Sequence, residues 1–511
     1  MRTWFWGFLL LFVFPLPAQE LFHVQDLAYQ GKLAGWLHHD LDGDGYDEII
    51  LMQRTPPDGV RPRRSLAIFR GSETGYTRQP AQRLYLPDDL ILFDFGDIDG
   101  DNRPELVFFT RGGIACYRIA DGRIITEASP VLQTQSLFMA GDRRSFRYWD
   151  FLSDFNGDGS DDILVPGIYH AKLYFRNNTA WLADTLRMPA EARTFGYFNP
   201  RFSVGARASG YYATPYLRRV DFNNDERPDL VAVYRDSLLV FLQQEDRYFA
   251  VHPLVVAIDF GDIWRGNKIM RTHLDDKSER RFLMRLIDIN RDGLLDAVTS
   301  YISTRESLIS PKTEIRLFFG KKSISGRFYF ADKPDQVLSP DAAQMVIDVV
   351  DLNRDGYPDL VTPVIKISLA TILKMLITRT VNIDTRGYLF DPATSAFPDK
   401  AGISAHLNVN FSFRGGAASP VYEISDFTGD GLLDILASNN EKNLLLYAGH
   451  TKHLLSTRPS AKFQTPLPQD GTLATAVDLN HDGRSDLVLR YENADRERHD
   501  LPQVLRVLIA R

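Results

Sequence analysis

A chain of 511 residues with 44% hydrophobic and 24% charged residues, including 33 Phe and 21 Tyr, has the composition of a folded globular protein and not of a disordered one. A formal charge of −7, with no sustained Lys/Arg run, argues against nucleic acid as a partner. The single cysteine, Cys116, excludes an intrachain disulfide, even for an exported chain that would be allowed one.

The chain opens MRTWFWGFLLLFVFPLPAQE, with Arg2 ahead of an apolar run from Trp4 to Phe14 and the small residue Ala18 beyond it. This pattern predicts a signal peptide over residues 1–18, cut after Ala18. The run is short for a span of ~20 residues, no cysteine lies near the cut to carry a lipid anchor, and no later stretch reads as a transmembrane helix. The expectation is an exported protein of the periplasm, the outer surface or the extracellular space.

Residues 19–511 then repeat one motif eight times. DLDGDGYDE at 40–48 is followed by DIDGDNRPE at 97–105, DFNGDGSDD at 154–162, DFNNDERPD at 221–229 and DINRDGLLD at 288–296. DLNRDGYPD at 351–359, DFTGDGLLD at 426–434 and DLNHDGRSD at 478–486 complete the set. Successive copies begin 52 to 75 residues apart, a period suited to one supersecondary unit. An apolar run precedes each loop and another follows it. In the second repeat LILFDFGDI and ELVFFTR flank the loop, and GIACYRIA and GRIITEA complete the unit. Short segments rich in Val, Ile, Phe and Tyr between Gly and Asp turns are strand signals, and four antiparallel strands per repeat make a propeller blade. The predicted fold is an all-β, eight-bladed propeller. Only two strands, DLVLRYE and QVLRVLIAR, follow the last loop, while ELFHVQDLAYQ at 20–30 precedes the first. That N-terminal segment is expected to supply the strand that closes the eighth blade, because radial closure protects sheet edges.

Oxygen side chains fall at positions one, three, five and nine of each loop, and position seven varies as it would if only its backbone carbonyl were used. The ligand sets so defined are Asp40, Asp42, Asp44, Tyr46 and Glu48; Asp97, Asp99, Asp101, Arg103 and Glu105; Asp154, Asn156, Asp158, Ser160 and Asp162; and Asp221, Asn223, Asp225, Arg227 and Asp229. Asp288, Asn290, Asp292, Leu294 and Asp296 form the fifth, Asp351, Asn353, Asp355, Tyr357 and Asp359 the sixth, Asp426, Thr428, Asp430, Leu432 and Asp434 the seventh, and Asp478, Asn480, Asp482, Arg484 and Asp486 the eighth. Calcium takes six to eight hard oxygens at flexible geometry, which this alternation supplies, whereas magnesium demands a strict octahedron. Up to eight Ca²⁺ are expected, one per repeat. The last ligand at position nine and the flanking strands also distinguish these loops from EF-hands.

Position six requires a sharp turn and is Gly in six copies; Asn102 is a fair substitute, but Glu226 is not, which marks the loop from Asp221 as the weakest. Of the 66 acidic residues, 26 occupy the side-chain positions. Loss of Arg2 with the leader and loading of eight Ca²⁺ would bring the charge from −7 to about +8. Binding energy at these loops is expected to act as folding energy in place of disulfides.

The DxDxDGxxD loops and their flanking strands resemble the FG-GAP/VCBS repeats of integrin α-subunit propellers and of many exported bacterial proteins. The likeness covers essentially residues 19–511. Phe95-Gly96 and Phe260-Gly261 match the name-giving dipeptide, while no Gly-Ala-Pro follows in any repeat. The resemblance implies a calcium-stabilised propeller and assigns no ligand. DLDGDGYDEIIL is also similar to repeats of the eight-bladed propellers of rhamnogalacturonan-cutting polysaccharide lyases, which carry an additional N-terminal sandwich domain; here the first loop already begins at Asp40.

No GxSxG, HExxH, CxxC, P-loop or GxGxxG motif occurs. His38 and His39 flank the first loop, and His450 and His453 lack companion zinc ligands. If the acidic loops join the first and second strands of each blade, the long insertions at 189–216, 254–280, 303–313 and 365–390 emerge on the opposite face. IKISLATILKMLITRT at 365–380 places residues 365, 369, 372, 373, 376 and 377 on one helical face, predicting a helix packed as cover on that face or forming a rim over a binding surface. Tyr197, Phe198, Tyr211, Tyr212, Tyr216 and Trp264 are the aromatic candidates for a protein or glycan ligand there. The functional expectation is a binding or scaffold module and not an enzyme, with a carbohydrate-active enzyme, its catalytic residues unassigned, as the alternative.

Overall fold

The computed structural model describes residues 21–511 apart from 56–61, 91, 138–146, 178–179, 200–203, 235–236, 247, 259–261, 266–267, 271–278, 308–310, 345–346, 411–419, 451–453 and 457. The leader predicted over residues 1–18 and the dipeptide Phe260-Gly261 lie outside the described residues.

Eight sheets follow one another along the chain as propeller blades, antiparallel except where Arg147–Tyr148 joins blade two and Asp262–Arg265 joins blade five as parallel inner strands. The first contains Lys32–His39, Glu48–Thr55, Arg63–Phe69 and Gln82–Tyr85 in sequential order. Blades two to seven begin from the first strands Leu92–Gly96, Leu152–Ser153, Leu217–Val220, Glu279–Ile287, Asp348–Val350 and Tyr422–Ser425. In the eighth, Ala474–Val477, Asp486–Arg490 and Val504–Ala510 are joined by Phe22–Ala28, paired in unbroken antiparallel register from Phe22 opposite Ala510 to Ala28 opposite Val504. The expected N-terminal closing strand is therefore present. It removes the open edge that a three-stranded last blade would expose.

The core lies between blades. Leu37, Ile50, Leu66, Phe93, Leu106 and Phe108 join blades one and two, and Leu27, Ile49, Leu51, Phe69, Val488 and Val507 join blades eight and one. Because each blade is covered on both faces, its second strand has no solvent side: Ile49, Ile50 and Leu51 are all fully buried. This explains why the runs after the acidic loops are continuously apolar instead of alternating. The dipeptide Phe95-Gly96 serves this packing, since a Cβ on Gly96 would fall 2.5 Å from Asp161 Oδ2 and 2.9 Å from Leu152 Cδ1 of the next blade.

Two expectations need correction. The outer strand of blade two is Ser129–Gln133, paired with Gly113–Tyr117 through a bulge; GRIITEA contributes only a small hairpin, Ile119–Ala120 with Arg123–Ile124. The predicted helix exists as α1 (Leu369–Thr378), N-capped by Ser368 and ended by Arg379 in the left-handed conformation, but none of its residues is buried. Leu369, Leu373, Leu376 and Ile377 are 67%, 52%, 58% and 81% exposed, so its apolar stripe does not pack on the propeller. Only Met375 reaches the core between blades six and seven.

Candidate metal centres and the opposite face

Each acidic loop joins the first strand of a blade to the second, which places all eight on one face. One hydrogen-bond scheme recurs in all of them. The carboxylate at position one accepts the N–H of position six at 2.6–3.1 Å. That at position five accepts the N–H of position seven at 2.8–3.0 Å. The carboxylate at position nine accepts the N–H of position two at 2.8–3.3 Å. The side chains thus hold the loop as a coil whose oxygens turn inward.

Two backbone positions make that coil possible. Position six has positive φ in every copy, including Asn102 at 63° and Glu226 at 67°. Position four does as well, with Gly43, Gly100, Gly157, Asn224, Arg291, Arg354, Gly429 and His481 between 53° and 79°. The sequence reading missed position four; its signal is Gly or Asn in five of the eight copies.

The loops bring together carboxylates that repel in the absence of a cation. Ligand oxygens of Asp40, Asp42 and Glu48 lie within 4.8 Å of one another, as do those of Asp97, Asp99 and Asp101. Asp42 Oδ1, Asp99 Oδ1, Asp162 Oδ1 and Asn223 Oδ1 are buried acceptors without a hydrogen-bond partner, and all four belong to predicted ligand positions three or nine. In the first two loops a buried oxygen without a partner among the described residues, together with clustered carboxylates, fits a hard cation. In the other direction, the Asn at position three donates its Nδ2 to the position-five carboxylate at 2.9–3.1 Å in five loops, partly offsetting the charge.

Position nine has a second task. Burial raises this carboxyl to about 7 at Glu48, Glu105, Asp296 and Asp486, to about 9 at Asp162 and to about 6 at Asp229; loop carboxylates push the same way and backbone N–H donors pull back. In six blades its other oxygen accepts an N–H from the third strand or just beyond it: Glu48 from Gly71 at 3.4 Å, and Asp229 from Gln243, Asp296 from Gly320, Asp359 from Phe390, Asp434 from Gly449 and Asp486 from Ala510 at 2.6–2.9 Å. There the ninth residue staples three strands together as well as facing the loop.

The loop from Asp221 differs from the rest. The Arg227 guanidinium reaches Asp225 Oδ2 at 2.6 Å. Burial pushes Asp225 up, but the bonds from Asn223 and Arg227 outweigh it and hold the carboxyl below its usual range. Neighbouring loops are also stitched together. Asp161 N donates to Asp97 O at 2.8 Å and Ser485 N to Asp426 O at 2.7 Å, while Arg291 lies over the Tyr357 ring at 5.0 Å. At the junction of blades eight and one, Asp47 lies between His38 Nδ1 at 2.6 Å and His481 Nε2 at 3.1 Å. His38 is therefore a partner of Asp47 and not merely a loop-flanking residue.

The second-to-third and blade-to-blade connections emerge on the other face. A cleft of about 890 Å³ opens there across blades six to eight, lined by Arg379, Asn440, Lys442, Asn443, Gln464 and Arg498 among others. A second cavity of about 680 Å³ is bounded by Trp149, Tyr216, Arg218 and Arg285. Of the aromatic candidates, Tyr216 lines this second cavity and donates to Asp150 Oδ2 at 3.4 Å. Tyr197, Phe198, Tyr211 and Tyr212 lie on the hairpin Glu191–Asn199 and Val204–Ala213, and Trp264 on the strand Asp262–Arg265, but their side chains are outside the described residues. The sequence reading did not find the larger cleft, because its polar residues come from four separate connections with no common motif.

Residues 288–362 and 426–489 match the FG-GAP-like repeat family model. No curated protein matches the chain. Among solved structures, an Agrocybe aegerita lectin described for recognition of non-reducing terminal N-acetylglucosamine is 15% identical with a TM-score of 0.37, over 86% of this chain and 93% of that one. The V. cholerae biofilm matrix protein Bap1 is 12% identical with a TM-score of 0.32, over 95% and 91% of the two chains. The WD40 domain of SCAP from fission yeast is 10% identical with a TM-score of 0.29, over 86% and 97%. The protein is an eight-bladed β-propeller whose segments 288–362 and 426–489 match the FG-GAP-like repeat model.

Proposed function

We propose that the protein is an exported, calcium-stabilised propeller that serves as a binding or scaffold module, presenting the face opposite its acidic loops to a protein or glycan. One observation carries the reading: the eight acidic loops occupy one face, while the cleft of about 890 Å³, whose lining mixes amides, the cations Arg379, Lys442 and Arg498, the acid Glu441 and apolar residues, opens on the other. Its size suits a drug-sized or oligomeric ligand, and convergent polar groups give such sites their specificity. Calcium, at the four oxygen positions and the carbonyl of position seven, would neutralise the loops and lock adjacent strands. The chain itself supplies the coil, the inward oxygens and the ninth-position staple.

The test has two parts. Thermal unfolding in excess calcium and in EGTA, with a count of bound metal, should give a large calcium-dependent rise in Tm and close to eight ions; no bound calcium and no shift would reject the metal assignment. Screening the calcium-loaded chain against glycan and protein arrays, beside a Lys442→Glu, Asn443→Ala variant, should identify a ligand that the variant loses. Binding that survives those substitutions would remove the cleft as the site.

A further inference from the structure

The least expected feature of the fold is α1. A short helix in a soluble domain normally turns its apolar stripe to the core, and here Leu369, Leu373, Leu376 and Ile377 form a stripe of four large aliphatic side chains, each more than half exposed. Spacings of four, three and one residues set them on one side of the helix. Contiguous exposed apolar surface of this kind marks an interaction site more often than chance exposure does.

We propose that α1 docks the face opposite the acidic loops onto an anionic lipid surface, lying in the interface with its aliphatic stripe among the acyl chains. Three observations select this occupant. The first is charge. Residues 365–380 hold the cations Lys366, Lys374 and Arg379 and no acid, while the acidic loops are all on the other face. An anionic bilayer would attract this cationic helix.

The second is shape. The stripe is carried on a projecting helix, so it needs an acceptor that yields to it. Lipid does so without a preformed groove, and the stems of Lys366 and Lys374 can lie along the apolar surface with their ammonium groups at the headgroups. The helix has ten residues, so it can lie on a bilayer but cannot cross one.

The third is a second contact on the same face. The turn between Asp162–Pro166 and Ala171–Asn177, like α1 a second-to-third-strand connection, exposes Ile168 by 51% and Tyr169 by 76%. It belongs to blade three and α1 to blade six, three blades apart around the ring. Two apolar projections set apart on one face suit a planar partner. The cleft beside Arg379 would then open toward the same surface, so a ligand bound there would be one displayed on that surface.

The experiment is co-sedimentation of the full calcium-loaded chain with vesicles of phosphatidylcholine alone and of phosphatidylcholine with phosphatidylglycerol. The expected result is partition onto the anionic vesicles that falls with salt. Leu373→Ser with Ile377→Ser should weaken that partition by about tenfold or more while leaving Tm and calcium stoichiometry unchanged, since neither side chain is buried. Lys366→Glu with Lys374→Glu should remove the preference for anionic lipid. Three results would overturn the proposal: no partition onto either vesicle, partition indifferent to both pairs of substitutions, or self-association without lipid that the serine pair abolishes, which would assign the stripe to a second copy. Tm and metal count report on the calcium reading separately, so failure of one does not obscure the other.

Discussion

Asp26 and Arg506 lie 480 residues apart in the sequence and form a two-pronged ion pair, Arg506 Nε to Asp26 Oδ1 at 2.7 Å and a terminal guanidinium nitrogen to Oδ2 at 2.8 Å. The pair sits on the two strands that close the propeller, four residues along from Phe22, which meets Phe463 edge to face at 5.5 Å and Phe427 at 6.3 Å. The two contacts should contribute very differently. Asp26 is about a third exposed, so Asp26→Ala should cost at most ~1 kcal/mol. Phe22 is fully buried between blades seven and eight, so Phe22→Ala should cost ~3–5 kcal/mol. Denaturant unfolding of the two variants checks the order, and equal losses would show that closure is electrostatic.

Glu226 offers a stabilising substitution. It is exposed and stands at φ 67°, where six other loops place glycine. A Cβ in the left-handed region costs roughly 1 kcal/mol, so Glu226→Gly should raise stability by about that amount even in EGTA. The gain in unfolding free energy without metal is the measurement. A loss would mean that the Glu226 side chain contributes to the loop in a way its exposure conceals.

The architecture was legible in the sequence because each blade repeats one rule, an apolar run on either side of a loop with carboxylates on alternate positions. Ile49 to Leu51 read as apolar because both faces of their strand are covered, and the spare segment at Phe22–Ala28 could be placed by counting strands. What was not legible depends on contacts between distant residues. Positive φ at Arg291, Arg354 and His481 leaves no mark in residue type, and Asp47 gives no sign that it will meet both His38 and His481. Helical period identified α1, yet period alone does not say whether a neighbour covers the stripe. The outer strand of blade two was misplaced because Gly122 punctuates a small hairpin there, not the start of a strand.

The two tasks of the loop carboxylates can be separated by mutation. Asp99 Oδ1 has no hydrogen-bond partner among the described residues, and a carboxylate oxygen of Asp99 lies within 4.8 Å of one from Asp97 and one from Asp101, so Asp99→Ala relieves repulsion when no metal is present and removes a predicted ligand when it is. The Tm of that variant should be equal or higher in EGTA and lower in calcium. Asp296 accepts N–H bonds from Ile289 and Gly320 at 2.9 Å each. Asparagine can accept only one of them, so Asp296→Asn should cost about 1–3 kcal/mol already in EGTA, with a further loss in calcium. A cost confined to calcium would show that position nine is a ligand and nothing more.

Asp94 supplies a pH dependence that is separate from the loops. Its carboxylate accepts N–H bonds from Phe95, Phe151 and Leu152 at 2.7–2.9 Å, tying blade two to the start of blade three, and burial nevertheless raises its pKa to about 7. The folded state therefore holds this proton more tightly than the unfolded chain does. The resulting stability is fully present below the unfolded value near 4, and is lost progressively as pH rises toward 7; above that the contribution is flat. Asp94→Asn cannot ionise and should remove that slope, although it forfeits an acceptor for one of the three N–H groups and starts from a lower baseline. Denaturant unfolding at pH 5 and pH 7.5, in saturating calcium so that the loop carboxylates stay ligated, should show a smaller difference for the variant than for the native chain. An equal difference would move the pH sensitivity elsewhere and leave Asp94 as a carboxylate fully compensated by its three donors.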